Sequence, residues 1–451
     1  MSAALQTAPA APAGRQQCLV TSRRPVGRRT ASRIALQCCA APEAAEQQVQ
    51  QAARVTSAAA AAASAASAAT AGQAALTGWV RRKQFDVVAL SNLCVDIVVQ
   101  VDELPPADTE SRRALLQQLT AQPPPVEQWE VGGNTNFLIA AARLGMRTAS
   151  VGHLGCDVYG SYMRDVLQAE GVRQVEPVAE GELSPELDQT LLCFVLVAPD
   201  GRHAFCSRFD FGPWPLLSFV GEQQLLEGVS RVLQDTEAVF VNGFAFDELP
   251  AAAVLAAAAT ARRAGAAVFF DPGPRSWTFS EGERKAAFEA MLDASDVVCM
   301  TEEEAEAVTG LRGAEAQARW VLGRPGARTE WCIIKRGAEG AILASRSCGA
   351  DTPVYRQQAL RVDVRDTVGC GDSFAAAVVL GFTRGHSIPA VMALASAVGA
   401  ATAMGQGAGR NVARADTVLE LLQSAVPGCE DGRHQGALEV LNCSLSSMDS
   451  D

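Results

Sequence analysis

Residues 366–380 read Asp-Thr-Val-Gly-Cys-Gly-Asp-Ser-Phe-Ala-Ala-Ala-Val-Val-Leu, a glycine-punctuated turn that runs straight into an apolar helix. Gly369 and Gly371 permit a backbone turn that side-chain-bearing residues resist. The N–H groups of Gly369, Cys370 and Gly371 then lie at a helix N-terminus, where oriented amides and the helix dipole make an anion site. Asp372 is a carboxylate beside that cradle. It would repel a phosphate, so its sensible task is to accept the proton of a hydroxyl that attacks phosphorus. Taken alone, the segment also allows a plainer reading in which Asp372 only caps the helix.

Upstream of this turn, short apolar runs alternate with Ala/Leu-rich segments. Strands are expected at Phe85–Leu90, Thr148–Gly152, Ala238–Asn242, Ala267–Phe270, Val297–Met300 and Trp331–Ile334. Helices are expected at Phe137–Leu144, Tyr159–Ala169, Pro250–Ala264, Glu302–Thr309, Ala314–Leu322 and Ser373–Gly381. Continuous apolar strands alternating with helices predict an α/β fold, a central and mostly parallel sheet with helices on both faces. One stretch departs from that pattern. Two β-prone runs flank Pro199-Asp200-Gly201, which predicts an antiparallel hairpin over about 188–212, a small β lid. Phe194, Phe205 and Phe209 in it fit hairpin core better than a slot for a base.

The 451 residues carry a formal charge of −12, distributed unevenly. Residues 1–84 hold ten Arg or Lys against Glu43 and Glu46, which leaves 28 basic and 48 acidic residues beyond. An acidic body is a poor partner for nucleic acid. The first 42 residues contain no acid and carry Arg pairs, the pattern of an organellar transit peptide. Residues 1–84 therefore read as a transit peptide and Ala-rich linker. The destination is the chloroplast stroma before the mitochondrion, with the cytoplasm left if the leader is an ordinary N-terminus. Residues 85–427 read as the folded domain and 428–451 as a polar tail. Ser387–Gly409 is uncharged, but its Ala, Gly, Ser and Thr content suits a buried helix better than a membrane span. Thirteen scattered cysteines without a Cys-x-x-Cys pair, and four histidines without metal spacing, argue against structural zinc.

Gly132-Gly133-Asn134-Thr135-Asn136, then Gly152-His-Leu-Gly155-Cys-Asp157-Val-Tyr-Gly160, precede the 366–374 turn. Together and in this order the three resemble both signatures of the ribokinase-like, or PfkB-type, carbohydrate kinase family. The resemblance spans Phe85 to about Val412. It implies an ATP-dependent enzyme that phosphorylates an alcohol of a sugar or nucleoside, with Mg2+ and in some members a monovalent cation near Asp366, Val368 and Gly405–Gly407. It implies acceptor binding by Asp96, Gly132, Gly133, Asn134, Asn136 and Arg275, the last from Asp271-Pro-Gly-Pro-Arg275. It places nucleotide over Lys335, Gly337, Gly340, Gly405 and Gly407, and links Glu304 of Thr301-Glu-Glu-Glu304 to magnesium through water. A homodimer through the lid is a further implication.

Four departures accompany the resemblance. The Gly-Gly loop is one residue short, Gly273 and Thr301 stand where the family has Asn, and Cys370 replaces Ala. The Cys370 thiol is either activated by the helix N-terminus or an inert small residue. Lys335 is either a point charge for phosphate or a solvated strand end. These departures would also suit a kinase-like assembly subunit that has lost activity, the alternative to an enzyme. A dinucleotide-dependent dehydrogenase is excluded, since no Gly-x-Gly-x-x-Gly follows the first strand.

Overall fold

The computed structural model describes residues 82–448 apart from 91, 106–108, 178–180, 182, 184–187, 200–202, 208–219, 222–223, 274–278, 280–281, 348–353 and 430. The leader, Arg275, Phe209 and the far end of the expected hairpin lie outside the described residues.

The strands are β1 Phe85–Leu90, β2 Leu93–Gln100, β3 Trp129–Gly133, β4 Thr148–Val151, β5 Arg173–Val175, β6 Leu191–Val197, β7 His203–Ser207, β8 Val220–Gly221, β9 Gln224–Leu225, β10 Thr236–Asn242, β11 Ala267–Asp271, β12 Val297–Thr301, β13 Trp331–Lys335, β14 Ala341–Ser345 and β15 Tyr355–Gln357. Nine of them form one sheet in the order β15-β14-β13-β12-β11-β10-β1-β4-β5. It is parallel from β5 through β13, and β14 and β15 close the other edge antiparallel. Alternate residues feed two cores. Ala89, Phe240, Phe269 and Ile333 pack with helices Asn134–Arg143, Cys370–Thr383 and Ile388–Ala403 on one face. Leu90, Val241, Phe270 and Ile334 pack with Ala251–Arg263 and Gly282–Ala294 on the other. Burial on both faces explains why these strands are continuous apolar runs. The ribokinase-like α/β architecture expected from the sequence is the one observed.

The chain enters mid-sheet at β1, builds β4 and β5 to one side, then crosses to β10 and proceeds outward to β15. The order reverses beside β1, so the loops leaving β1 and β10 diverge and open a crevice at the carboxyl ends of the strands. A second sheet, β3-β2-β6-β7, stands over that crevice. The expected hairpin is its β6/β7 half, paired antiparallel. The other half, β2 and β3, was not expected from the sequence. Phe194 is fully buried, as a hairpin-core residue should be, whereas Phe205 is 45% exposed and is not core.

Two further differences concern the C-terminal part. The uncharged stretch forms the helix Ile388–Ala403, and among the described residues no helix is long and apolar enough to cross a membrane. The expected polar tail is instead largely the helix Arg433–Met448. Its Ala437, Val440, Leu441 and Ser444 recur at helical spacing and are buried, and Ser444 Oγ donates to Leu144 O at 2.6 Å. Gly436 lets it approach the Ile388–Ala403 helix, where an added Cβ would sit 3.1 Å from that of Ala390.

Candidate active site

The glycine turn forms as its residues dictate. Gly369 adopts φ +78° and caps the helix Cys370–Thr383 without a side-chain bond. Among the first amides of that helix, those of Gly371 and Asp372 have no backbone acceptor. The Cys370 amide does, donating to Thr367 O at 3.3 Å. The open donor set is therefore shifted by one residue from the expected Gly369–Gly371 group, because the tight turn folds the Cys370 N–H back on itself. Cys370 is half-buried, and burial, then Asp366 and Asp372, push its thiol up to about 11. The helix N-terminus does not activate it, and the inert reading of the residue stands.

Asp372 faces the crevice from the first helical turn. Burial, then the like charge of Asp271, raises its carboxyl to about 7; Lys335 and the Asn136 amide act in the opposite direction. The plainer reading does not hold, since its Oδ2 is met by Asn136 Nδ2 at 3.3 Å, a group 236 residues away. Asn136 Oδ1 accepts from Gly409 N at 2.8 Å, so one amide fixes both the carboxylate and the 409 turn.

Asp96 approaches from above. It sits in β2, in register with Glu130 of β3 and Cys193 of β6. Burial raises its carboxyl to about 7, with Cys94 opposing, and Glu130 and Asp372 add to the rise. Gly132 is what allows this placement. A Cβ there would lie 2.1 Å from Asp96 Oδ2. Asn134 behaves differently from expectation. It is fully buried, its Nδ2 donates to Leu90 O at 2.7 Å and its amide to Asn92 O at 3.0 Å. It serves the junction between β1 and the helix Asn134–Arg143, which leaves Asn136 as the Asn that reaches the carboxylates.

On the far side, Asp271 ends β11 and Lys335 ends β13. Lys335 Nζ meets Asp271 Oδ2 at 2.6 Å, with its side chain 13% exposed. Lys335 is thus not a solvated strand end. Burial works against its charge, but Asp271 and Glu304 outweigh that and raise its proton affinity. Glu304 is the third residue of a capping box: Oε2 accepts from Thr301 N at 2.7 Å, and its own amide donates to Thr301 Oγ1 at 3.2 Å. Thr301 in place of Asn preserves this cap. Burial and then Asp271 raise the Glu304 carboxyl, with Lys335 opposing.

Gly337 and Gly340, both at positive φ, turn the chain from β13 into β14 directly after Lys335. Gly407, also at positive φ, donates its amide to Asp366 Oδ2 at 2.9 Å, while Val368 N donates to Oδ1 at 3.0 Å. The Gly405–Gly407 turn is thereby tied to the glycine turn that carries Asp372.

Several residues of this region were missed from sequence. Asn92 takes φ +57° where the chain leaves the main sheet, and its amide donates to Glu248 Oε2 at 2.8 Å. Burial raises the Glu248 carboxyl to about 8, so at neutral pH it is mostly a neutral acid spanning the loops after β1 and β10. Glu130 accepts from Arg410 N and Nε, both at 3.1 Å, and joins the small sheet to the 409 turn. Positive φ at Asn92 is a possible signal; the pairings of Glu248 and Glu130 have none in local sequence.

Three carboxylates and one ammonium thus surround a pair of unengaged helix amides, opposite a further carboxylate on the small sheet. Residues 124–414 match the pfkB family carbohydrate kinase model. A 5-dehydro-2-deoxygluconokinase of Bacillus velezensis is 22% identical over 347 residues, covering 76% of this chain and 96% of that protein. The fold is shared with Arabidopsis thaliana ribokinase complexed with ribose and ATP (TM-score 0.56, 19% identity, 76% and 99% of the two chains). It is shared too with an Escherichia coli protein provisionally assigned as ribokinase II, in complex with ATP and Mg2+ (TM-score 0.58, 20% identity, 75% and 99%). With the family model covering well over half its length, the chain belongs to the pfkB family of carbohydrate kinases, enzymes that phosphorylate an alcohol of a sugar or sugar-like acceptor.

Proposed function

We propose that this enzyme holds a polyhydroxylated acceptor between Asp96 of the small sheet and Asp372 of the glycine turn, and transfers to it the terminal phosphoryl group of MgATP. The observation that carries this reading is the position of Asp372, a carboxylate poised near neutrality beside the open amides of Gly371 and itself. Asp372 takes the proton of the attacking hydroxyl. The two amides meet charge on the phosphoryl oxygens, the main source of rate in such transfers. Asp96, with Gly132 and Gly133 shaping its surroundings, accepts hydrogen bonds from acceptor hydroxyls. The loops of Gly337, Gly340, Gly405 and Gly407 support the nucleotide.

The donor set suits magnesium. Asp271, Glu304 and Asp372 raise one another's proton affinities, a shortage of positive charge that a hard divalent cation relieves. Glu304 would hold it through water, since its Oε2 is engaged in the helix cap. Bound there with the phosphates, the ion supplies charge neutralisation. The Asp366 carboxylate, which draws Val368 and Gly407 together, supports a monovalent cation at that corner. The acid-free basic leader supports residence in the chloroplast stroma. The comparisons give no support to an inactive assembly subunit.

The test is ATP consumption with a panel of ribose, fructose, 2-keto-3-deoxygluconate, 5-dehydro-2-deoxygluconate, adenosine and pseudouridine, with the product followed by 31P NMR. At least one acceptor is expected to yield a phosphate monoester. A protein that binds MgATP yet phosphorylates none of the six would contradict the reading.

A further inference from the structure

Lys335 is placed for more than neutralising Asp271. It is the last residue of β13, paired in register with Thr301 on one side and Ala341 on the other, so its backbone is fixed by two ladders. Its ammonium lies over the first turn of the helix Cys370–Thr383, where a Cβ added to Gly371 would come within 3.2 Å of Nζ. Beside it are the unengaged amides of Gly371 and Asp372. The carboxylates of Asp271 from β11, Glu304 from the helix after β12 and Asp372 from the glycine turn all face it. A buried ion pair is a poor way to gain stability, and apolar side chains would fill the space at no loss. A flexible ammonium next to open helix amides is, however, a good way to meet a phosphate.

We propose that Lys335 is a catalytic cation of the phosphoryl transfer, parked on Asp271 in the free enzyme and moved onto an oxygen of the terminal phosphoryl group when ATP occupies the Gly371–Asp372 amides. This rests on the kinase reading above. The acceptor oxygen forms the new bond to phosphorus as the bond from phosphorus to the bridging oxygen breaks. ADP leaves with that electron pair, Asp372 keeps the acceptor proton, and Lys335 stays an ammonium throughout. Its contribution is charge and position, and its preference is for a ligand that carries the terminal phosphate.

Calorimetric titration of the full chain with MgATP and with MgADP tests this without knowledge of the acceptor. Lys335→Met is expected to weaken MgATP binding about 10- to 100-fold, the scale of one lost hydrogen bond to a charged group, while MgADP binding changes less than about threefold. Because Lys335→Met leaves Asp271 without its cation, the double variant Lys335→Met/Asp271→Asn is measured beside it; it is expected to fold and still to lack the preference for ATP. Equal losses for ATP and ADP, or recovery of wild-type ATP affinity in the double variant, would overturn the proposal and leave Lys335 a structural counter-ion. Wild-type protein that binds neither nucleotide would overturn the kinase reading itself, a separate outcome.

Discussion

Asp372→Asn is expected to lower kcat by roughly 10²–10⁴-fold, the usual worth of a positioned general base. Asn is isosteric and keeps an oxygen for the Asn136 amide, but it cannot take a proton. Nucleotide affinity should stay near wild type, because the backbone amides of Gly371 and Asp372 survive the change. Stability should not suffer either. The Asp372 carboxyl is raised to about 7 from an ordinary 3.8, so the folded state binds its proton more tightly than the unfolded chain does. Stability from this group is thus lost as pH rises from about 4 through about 7. At pH 8 the ionised group is a cost that Asn removes, and the melting temperature there should hold or rise. Steady-state kinetics and thermal melts read both effects. A variant within tenfold of wild-type kcat would remove Asp372 from the role of base.

Gly132→Ala is expected to be nearly as damaging by a different route. The added Cβ would fall 2.1 Å from Asp96 Oδ2 and within 2.4 Å of the other carboxylate oxygen, far inside contact distance. Gly132 and Cys94 are paired across the β2/β3 ladder, so the strands cannot part without losing the small sheet's backbone bonds. The cheaper adjustment is rotation of Asp96 away from the crevice. Acceptor hydroxyls then lose a charged partner, at a cost of about 1.5–3 kcal/mol, or roughly 10- to 100-fold in kcat/KM for the acceptor. MgATP affinity should be unchanged, because the nucleotide loops are untouched. Parallel losses in acceptor and ATP terms would show instead that the substitution had unsettled the whole domain.

The sequence was most legible where structure is local. β1 and β10 to β13 are continuous apolar runs because both of their faces are covered, and the 366–380 segment carries its turn, amides and helix within 15 residues. β2 was missed because Leu93–Gln100 places Asp96 in the middle of a strand whose partners, β3 and β6, lie about 30 and 100 residues further on. The helix Arg433–Met448 was masked by its Ser, Asn and Gln content, although its apolar residues recur at 3 and 4 positions. In the site, Asp372 and Glu304 were readable because each sits in its own motif. The contacts that hold the site together, Asn92 to Glu248, Asn136 to Gly409 and Glu130 to Arg410, span 156, 273 and 280 residues. No periodicity or spacing encodes such pairings, and the true neighbour of Lys335, Asp271, was hidden for the same reason.

The base assignment meets its most direct test in the pH dependence of kcat/KM for the acceptor at saturating MgATP. Asp372 works deprotonated, and Asp96, which it faces as a like charge, titrates in the same range. The rate should climb steeply as pH rises through about 7 and level off above it, with the climb lost in Asp372→Asn. A profile that is flat from pH 5.5 to 8.5, or one that falls as pH rises through neutrality, would contradict proton transfer to Asp372.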